Sequence, residues 1–365
     1  MNDSEITPEA FHIKLQSGKV PLLLDVRNNQ VFSDWNIFAS RNLPIMQLLE
    51  TTDFPDDFHN REVVVICTRG QDSLVGARYL QNLGINARSL KGGLLEWNNV
   101  FDTTELVNES DRKLLQIRRV AKGCLSYFLY SNGEAIVIDP AQNISPYIRI
   151  AEEKDLSITQ VIDSHLHADH VSGARALASE TGAEVYLNPQ DPYIFEFNTI
   201  EEDFKFELNG KELLRALSTP GHTPGSTSFV MKNLGILTGD TLFVDGIGRP
   251  DLFHQTASFA KDLYISLTMK VAILPDNMFY APAHHGKFEL THFKKPISSN
   301  IASFKEDTLL KKDEESFVNY AVERSQQTKE PPSFRTIRDV NMGSLILSNT
   351  EINELEIGPN RCAIS

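Results

Sequence analysis

The sequence has little cysteine, no long apolar run and no excess of positive charge. Its 365 residues include only Cys67, Cys124 and Cys362, which excludes a disulfide framework and favours a reducing compartment. No uninterrupted apolar segment approaches the ~18–20 residues that a membrane span requires. Acidic residues outnumber basic ones by 49 to 35, which argues against nucleic acid or an anionic membrane as the main partner.

The first residues also lack the features of a targeting peptide. The segment 1–9 is polar and acidic, without a basic region, an apolar core or the arginines of a transit peptide. We therefore expect a cytoplasmic protein. The hydrophobic content of 41% is ordinary for a globular chain, and a length of 365 residues predicts two domains.

Alternating strand and helix patterns predict an α/β fold. The first domain is expected over residues 1–101, around a mostly parallel sheet. The polar stretch 102–112 is predicted to be a linker. A second domain follows over 113–365, and its charged segment 305–328 is predicted to be helical until Pro331-Pro332 stops it.

The most informative segment is the run of three histidines and one aspartate that follows the apolar Val161-Ile162. Within SHLHADH, these side chains are His165, His167, Asp169 and His170. Alternate residues of a turn can point to one place, and imidazole nitrogen with carboxylate oxygen suits zinc or iron. This segment therefore predicts a metal site.

Three further motifs lie downstream and supply more donors of the same kind. His222 stands in the proline–glycine loop TPGHTPG, Asp240 follows an apolar strand in LTGDTL, and His284 ends YAPAH. Any one of these alone would usually be a satisfied polar residue or a turn. All of them in this order favour one metal centre built from distant parts of the chain.

In this order the motifs resemble the metallo-β-lactamase superfamily over about residues 113–300. The resemblance implies an αββα sandwich with metal at one edge of the sheets. In dinuclear hydrolases of the family, two Zn²⁺ activate a shared water. The matching ligands here are His165, His167 and His222 for one metal, Asp169, His170 and His284 for the other, and Asp240 between them.

Persulfide dioxygenases of the same superfamily use these residues in another way. There, one Fe²⁺ is held by the residues matching His165, His222 and Asp240, which leaves positions for dioxygen and a substrate sulfur. The resemblance then implies a supporting role around these ligands for the remaining donors. Those donors are His167, Asp169, His170 and His284.

Additional segments favour the dioxygenase subgroup. KGCLSY at 122–127 and the ending around 331–343 resemble it, and in GIGRPDL Arg249 is expected to bind a substrate anion. Two positions depart from the glutathione-using members, namely His285-Gly286 and Ile247. The identity of the thiol therefore stays open.

A second site is predicted in the first domain at Cys67, which follows the apolar strand 63–66. A strand, a short glycine-containing loop and a helix start place backbone N–H groups around one point, where they stabilise a thiolate or persulfide. An inert buried cysteine at a strand end is the alternative. The loop residues after Cys67 are Thr68, Arg69, Gly70, Gln71, Asp72 and Ser73.

This loop, with LDVR at 24–27 and KGGLLEW at 91–97, resembles a rhodanese domain over about residues 4–101. The resemblance implies that Cys67 accepts a sulfane sulfur and holds it as a persulfide. Trp35-Asn36 departs from the usual glycine–histidine pair. Asp72 also departs from the family, and its carboxylate disfavours thiosulfate as the sulfur donor.

Both resemblances concern sulfane sulfur, so we expect one enzyme that oxidises a small thiol persulfide with dioxygen and also transfers sulfur. One Fe²⁺ per chain is expected. One alternative is a hydrolase of the hydroxyacylglutathione type with two Zn²⁺, and another is a non-catalytic sulfur carrier. Because superfamily relatives often dimerise, a homodimer stays open.

Overall fold

The computed structural model of the chain describes residues 4–252, 255–285, 295–327, 333–358, 360 and 362–364. Within these residues, no helix combines the length and the apolar character needed to cross a bilayer.

A parallel five-stranded sheet forms the first part of the chain. Its strands, with order β1-β5-β4-β2-β3, are β1 (Glu5–Ile6), β2 (Leu22–Asp25), β3 (Arg41–Asn42), β4 (Val63–Ile66) and β5 (Ala87–Leu90). The helices between and after them are α1 (Pro8–Gln16), α2 (Asn29–Asp34), α3 (Ile45–Glu50), α4 (Asp56–Asn60), α5 (Gln71–Asn82) and α6 (Gly93–Trp97).

Residues of β4 alternate between two apolar cores, one on each face of this sheet. Val64 and Ile66 pack in one core, and Val63 and Val65 in the other. Because successive side chains of a strand point to opposite faces, a continuous apolar run is what a strand buried on both faces requires.

The second part of the chain is a sandwich of two sheets. The first sheet contains β6 (Phe101–Asn108), β7 (Lys113–Arg119), β8 (Leu125–Ser131), β9 (Glu134–Ile138), β10 (Ser157–Ile162), β11 (Glu184–Leu187) and β12 (Asn198–Thr199). The second contains β13 (Lys205–Leu208), β14 (Lys211–Ser218), β15 (Thr227–Met231), β16 (Gly235–Gly239), β19 (Phe279–Pro282) and β20 (Ser299–Asn300). A small third sheet contains β17 (Leu242–Phe243), β18 (Gly246–Gly248) and β21 (Ala363–Ile364).

Helices cover both outer faces of this sandwich. One face carries α7 (Ser145–Lys154) and α8 (Ala174–Thr181), and the other carries α9 (Thr256–Ile265) with a π-helical continuation Ser266–Val271, α10 (Ile301–Lys305) and α11 (Glu314–Gln327). The last helices, α12 (Phe334–Met342) and α13 (Asn349–Leu355), pack instead around Val171. An apolar core between the sheets includes Leu129 and Ile136 from one and Phe206 and Phe229 from the other. The predicted α/β class and αββα layering are confirmed.

The polar sequence of 102–112 predicted a linker, but in the structure this segment is not a free linker. Most of it belongs to β6, which pairs with β7 in antiparallel register. Asp102 receives hydrogen bonds from Arg118 at 2.9 and 2.6 Å, and its Oδ2 lies 3.4 Å from His12 Nε2 of α1. An edge strand with one solvent-facing side has a polar sequence, and for this reason its composition resembled that of a linker. The domain boundaries themselves stay a prediction.

The predicted helix over 305–328 is also interrupted. α10 ends at Lys305, a 3-10 turn covers Thr308–Lys311, and α11 starts only at Glu314. Pro331 and Pro332, expected to stop the helix, lie outside the described residues.

Gln116 on β7 holds the chain at Ile297 against the sandwich. Its Nε2 donates to the Ile297 carbonyl at 2.9 Å, and its Oε1 accepts from the Ile297 N–H at 2.7 Å, all of it buried. Gln116→Ala leaves both backbone groups unsatisfied, so we expect a loss of about 1–3 kcal/mol of unfolding free energy. The midpoint of urea unfolding measures it. The exposed Gln190→Ala is the matched control, and equal midpoints for the two variants would contradict the assignment.

Candidate metal centre

The predicted metal-binding residues lie in loops at one edge of the sandwich. His165, His167 and His170 follow β10, His222 follows β14, and Asp240 follows β16. His284 follows β19. Every one of these side chains is buried. Strand ends thus bring together residues from four separate motifs, as the sequence predicted.

A first donor set consists of His165, His222 and Asp240. Asp240 Oδ2 lies 3.6 Å from His165 Nε2 and 3.5 Å from His222 Nε2. The other ring nitrogens are engaged elsewhere, since His165 Nδ1 contacts Ser164 Oγ at 2.9 Å and His222 Nδ1 contacts the Arg249 carbonyl at 2.9 Å. Both Nε2 atoms are therefore directed to the same place beside one carboxylate.

A second donor set adjoins the first through His284. His284 Nδ1 lies 2.6 Å from Asp240 Oδ1, and its Nε2 lies 2.7 Å from Asp169 Oδ2. His170 Nδ1 contacts Asp169 Oδ1 at 3.1 Å. Cys124 also belongs to this set, because its sulfur and the donor atoms of Asp169, His170 and His284 lie within 4.8 Å of one another.

His167 lies between the first set and two further carboxylates. Its Nε2 is 3.2 Å from Asp139 Oδ1 and 4.0 Å from Asp163 Oδ1. Burial raises the pKa of Asp163 to about 6. A carboxylate on the outer ring nitrogen of a histidine fixes its orientation, which leaves the buried Nδ1 of His167 available for a metal.

Unsatisfied ring nitrogens test whether a metal ion fits this cluster. His165 Nε2, His167 Nδ1, His170 Nε2 and His222 Nε2 are buried without a hydrogen-bond partner, as is Asp240 Oδ2. Each such group costs about 1–3 kcal/mol unless a partner is supplied. Imidazole nitrogens with a carboxylate oxygen are donors for a divalent cation, so the residues fit a metal.

The electrostatics of the first set agree with this fit. Burial lowers the pKa of His165 well below its ordinary value and also lowers that of His222, so both imidazoles are neutral, the form that binds metal. Burial alone would raise the pKa of Asp240, but His284, whose own pKa is raised well above its ordinary value, outweighs burial and lowers it. A carboxylate between neutral imidazoles is thus available at ordinary pH.

Neighbouring histidines also determine the pKa of the Cys124 thiol. Burial would raise its pKa, yet His170 and His284 outweigh burial and lower it to about 6.

Asp191, which sequence reasoning missed, ties two metal-site loops together. Its carboxylate accepts hydrogen bonds from Leu166 N–H at 2.8 Å, Gly225 N–H at 2.9 Å and the Thr223 hydroxyl at 3.0 Å. Asp191 therefore connects the loop of His165 to the loop of His222. The sequence feature that could have identified Asp191 is its position shortly after β11, at the sheet edge where the other motifs lie.

Arg249, predicted to bind a substrate anion, is buried and engaged by a carboxylate. Its guanidinium donates to Asp251 at 2.7 and 2.8 Å, and its centre lies 6.0 Å from the Phe334 ring. Its carbonyl positions His222, as described above. Arg249 thus shapes the site through its backbone as well as its charge.

The Cys67 loop has the predicted anion-stabilising geometry. Cys67 Sγ accepts hydrogen bonds from Gly70 N–H at 3.1 Å and Ser73 N–H at 3.3 Å, and lies 3.2 Å from Ser73 Oγ. Gly70 adopts φ 85°, and a Cβ there would lie 2.8 Å from the nitrogen of Gly92. By contrast Arg69, Gln71 and Asp72 are exposed. The structure therefore gathers Cys67, Gly70 and Ser73 and leaves Arg69, Gln71 and Asp72 outside this contact network.

Two family models match the chain in the regions of these two sites. The metallo-β-lactamase superfamily matches residues 119–284, and the rhodanese-like domain matches residues 7–100. The chain is a rhodanese-like domain fused to a metallo-β-lactamase domain.

Named relatives resemble the metallo-β-lactamase domain. Persulfide dioxygenase ETHE1, mitochondrial, from Homo sapiens is 32% identical over 42% of this chain and 60% of that protein. A hydroxyacylglutathione hydrolase from Methylobacillus flagellatus is 30% identical over 41% of this chain and 58% of that protein. The chain thus spans about 60% of the length of these relatives. A metallo-β-lactamase crystal structure from Staphylococcus aureus has a TM-score of 0.59 at 26% identity, covering 66% of this chain and 75% of that chain.

The C-terminal residues connect the two domains with the metal centre. Asn341 Nδ2 donates to the carbonyls of His167 and His170 at 2.9 and 2.8 Å. Glu356 accepts from Val171 N–H at 2.6 Å, and α13 just before it carries Glu354, which pairs with Arg69 of the rhodanese-like domain. Asn341 and Glu356 thus fix the backbone of the histidine loop by hydrogen bonds.

Asp191→Ala is expected to weaken metal binding although Asp191 is outside both donor sets. Losing the three hydrogen bonds that the Asp191 carboxylate accepts loosens the loops of His165 and His222, and such supporting groups are worth about 10–100-fold in metal affinity. Competition with a chromophoric chelator measures the change. The exposed Asp53→Ala serves as the control, and an affinity equal to that of the control would refute a supporting role for Asp191.

Proposed function

We propose that the chain is a non-haem iron persulfide dioxygenase with a fused sulfurtransferase domain. The reaction would be RSSH + O₂ + H₂O → RSH + SO₃²⁻ + 2 H⁺, in which the terminal sulfur loses four electrons and dioxygen gains them. The observation that carries this proposal is the buried set of His165, His222 and Asp240 with both Nε2 atoms unsatisfied. The likeness to the human persulfide dioxygenase supports it.

The three residues would hold Fe²⁺ by two histidines and one carboxylate. When bound, ferrous iron supplies redox chemistry with dioxygen and open coordination positions. Asp240 is held in place by His284 Nδ1, which lies 2.6 Å from its second oxygen. His284 is in turn held by Asp169, so this chain of contacts orients the carboxylate of the donor set.

An apolar wall lies beside these groups. Phe243 has its ring centroid 6.5 Å from that of His284, and it packs with Ala168, Phe334 and Cys362. An apolar wall restricts water near a reactive persulfide, and it leaves the small substrate to be positioned by few polar groups. This arrangement suits a sulfur substrate better than a strongly hydrated one.

Cys67 would carry the sulfane sulfur in the rhodanese-like domain. Its thiolate attacks the terminal sulfur of a persulfide, a new bond forms to Cys67 Sγ, and the donor thiolate leaves, so no net oxidation occurs. The N–H groups of Gly70 and Ser73 stabilise the negative charge on sulfur before and after this transfer.

A zinc thioester hydrolase is the second candidate, because Asp169, His170 and His284 complete a donor set for a second metal beside Asp240. The likeness to a hydroxyacylglutathione hydrolase also favours it. The two candidates are separated by purifying the protein without oxygen, counting its metals and assaying it with glutathione persulfide and with a glutathione thioester. About one iron per chain with persulfide-dependent oxygen uptake is expected. Two zinc ions with thioester cleavage and no uptake would establish the hydrolase instead.

His222→Ala should remove iron and reduce oxygen uptake by about 100-fold or more, since one of three protein ligands is lost. Metal analysis and an oxygen electrode measure both effects. His59→Ala, at an exposed position of α4, is the matched control and should keep its iron and its rate. Full activity in His222→Ala would exclude this donor set.

Cys67→Ser should abolish sulfur transfer and leave oxygen uptake with an added persulfide largely unchanged, because Cys67 lies in the other domain. Transfer is followed with a thiol acceptor, and oxygen uptake is measured on the same preparation. Loss of both activities in a variant that retains its iron would overturn this division of labour.

A further inference from the structure

Cys124 occupies a fixed position at the metal centre. It forms a β-bridge with His284, and the neighbouring backbone hydrogen bonds join Leu125 N–H to the Ala283 carbonyl at 2.7 Å and His285 N–H to the Gly123 carbonyl at 3.0 Å. The Arg119 N–H also donates to the Cys124 carbonyl at 2.9 Å. The backbone thus holds the thiol in register with the histidine of the last motif.

Gly123 allows this close approach. It has φ 81°, and a Cβ at this position would lie 2.5 Å from the carbonyl oxygen of His285. That carbonyl belongs to the backbone and cannot move away by a change of side-chain rotamer. Any residue other than glycine would therefore push the two segments apart. The glycine before the cysteine therefore has a direct consequence for where the thiol lies.

The surroundings of the thiol are polar donors. Cys124 Sγ lies 3.9 Å from Asp169 Oδ2, and the donor atoms of Cys124, Asp169, His170 and His284 all lie within 4.8 Å of one another. His170 Nε2 has no hydrogen-bond partner although His170 is only 1% exposed. A structural cysteine packs among apolar atoms, whereas this one faces imidazoles and a carboxylate.

We propose that Cys124 is a metal ligand, and that with Asp169, His170 and His284 it forms a thiolate-containing site beside the set of His165, His222 and Asp240. On binding, the thiol proton leaves to solvent and sulfur donates its electron pair to the cation, with no change of oxidation state. A sulfur, two nitrogens and one oxygen suit Zn²⁺, which is commonly four-coordinate with such donors.

The two donor sets are therefore chemically different. The set of His165, His222 and Asp240 offers nitrogen and oxygen only, whereas the set at Cys124 adds a soft sulfur. Softer ligands select zinc over iron, so the centre discriminates between two kinds of cation within one cluster. This inference does not rest on the dioxygenase activity, because it concerns binding alone.

Sulfur coordination is tested on the full chain with cysteines removed selectively. The double variant Cys67→Ser/Cys362→Ser leaves Cys124 as its remaining cysteine, since the chain has three. Zinc-edge X-ray absorption of this zinc-loaded variant and of the wild type is expected to show a sulfur neighbour at about 2.3 Å. Nitrogen and oxygen neighbours alone in the wild type would overturn the proposal, whether or not any variant folds.

Cobalt gives an independent optical readout. The cobalt-loaded wild type and the double variant should both show a sulfur-to-cobalt charge-transfer band in the near ultraviolet. Cys124→Ser should lose this band and bind zinc at that site at least about 10-fold more weakly. A band that persists in Cys124→Ser but disappears in Cys362→Ser would transfer the role to Cys362 and refute the assignment. Failure of the oxygen-uptake assay would leave these spectra unaffected.

Discussion

The structure depends on an electrostatic constraint, namely that imidazoles and carboxylates are gathered where water does not reach them. His165, His222 and His284 all approach Asp240 while buried. Lone pairs without partners and carboxylates out of water both cost free energy. A divalent cation offsets both costs at once, whereas packing alone offsets neither.

Loops with so many polar groups need external support to hold such a geometry. Asp191 and Asn341 supply it by hydrogen-bonding to the backbone of the histidine loops. Close packing adds to it, since Gly221 has φ 140° and a Cβ there would lie 2.5 Å from Leu263. The metal-binding side chains are thus the inner part of a larger rigid arrangement, as accurate donor sets require.

Much of this could be read from the sequence because the signals were local. The apolar run 63–66 predicted β4, and the apolar stretches before the histidine run and before Asp240 belong to β10 and β16. The motif histidines and Asp240 were found because each stands in a short, recognisable motif. The polar strand β6 was missed because an edge strand resembles a linker in composition.

The residues that sequence reasoning missed act through distant partners. Cys124 becomes a candidate ligand only because a β-bridge places it beside His284, 160 positions away. Asn341 reaches His167 across a separation of 174 residues. Both residues stand in segments that resemble the dioxygenase subgroup, 122–127 and 331–343, but that likeness gives neither side chain a role. Only the tertiary structure brings them to the metal centre. Contacts between residues far apart in sequence depend on the tertiary fold, and local sequence patterns therefore do not predict them.

The same long separations have a consequence for synthesis on the ribosome. Residues 5–97 contain all the strands and helices of the rhodanese-like sheet, so that unit has its whole complement of elements early. The histidine loop, by contrast, emerges long before Asn360, which donates to Asp169 across 191 residues at 2.9 Å. Because contacts between distant residues form slowly, the nascent metal-binding loop stays incompletely enclosed while more than half of the chain is still to be made. The order of the chain thus makes metal capture a late event in the maturation of this protein.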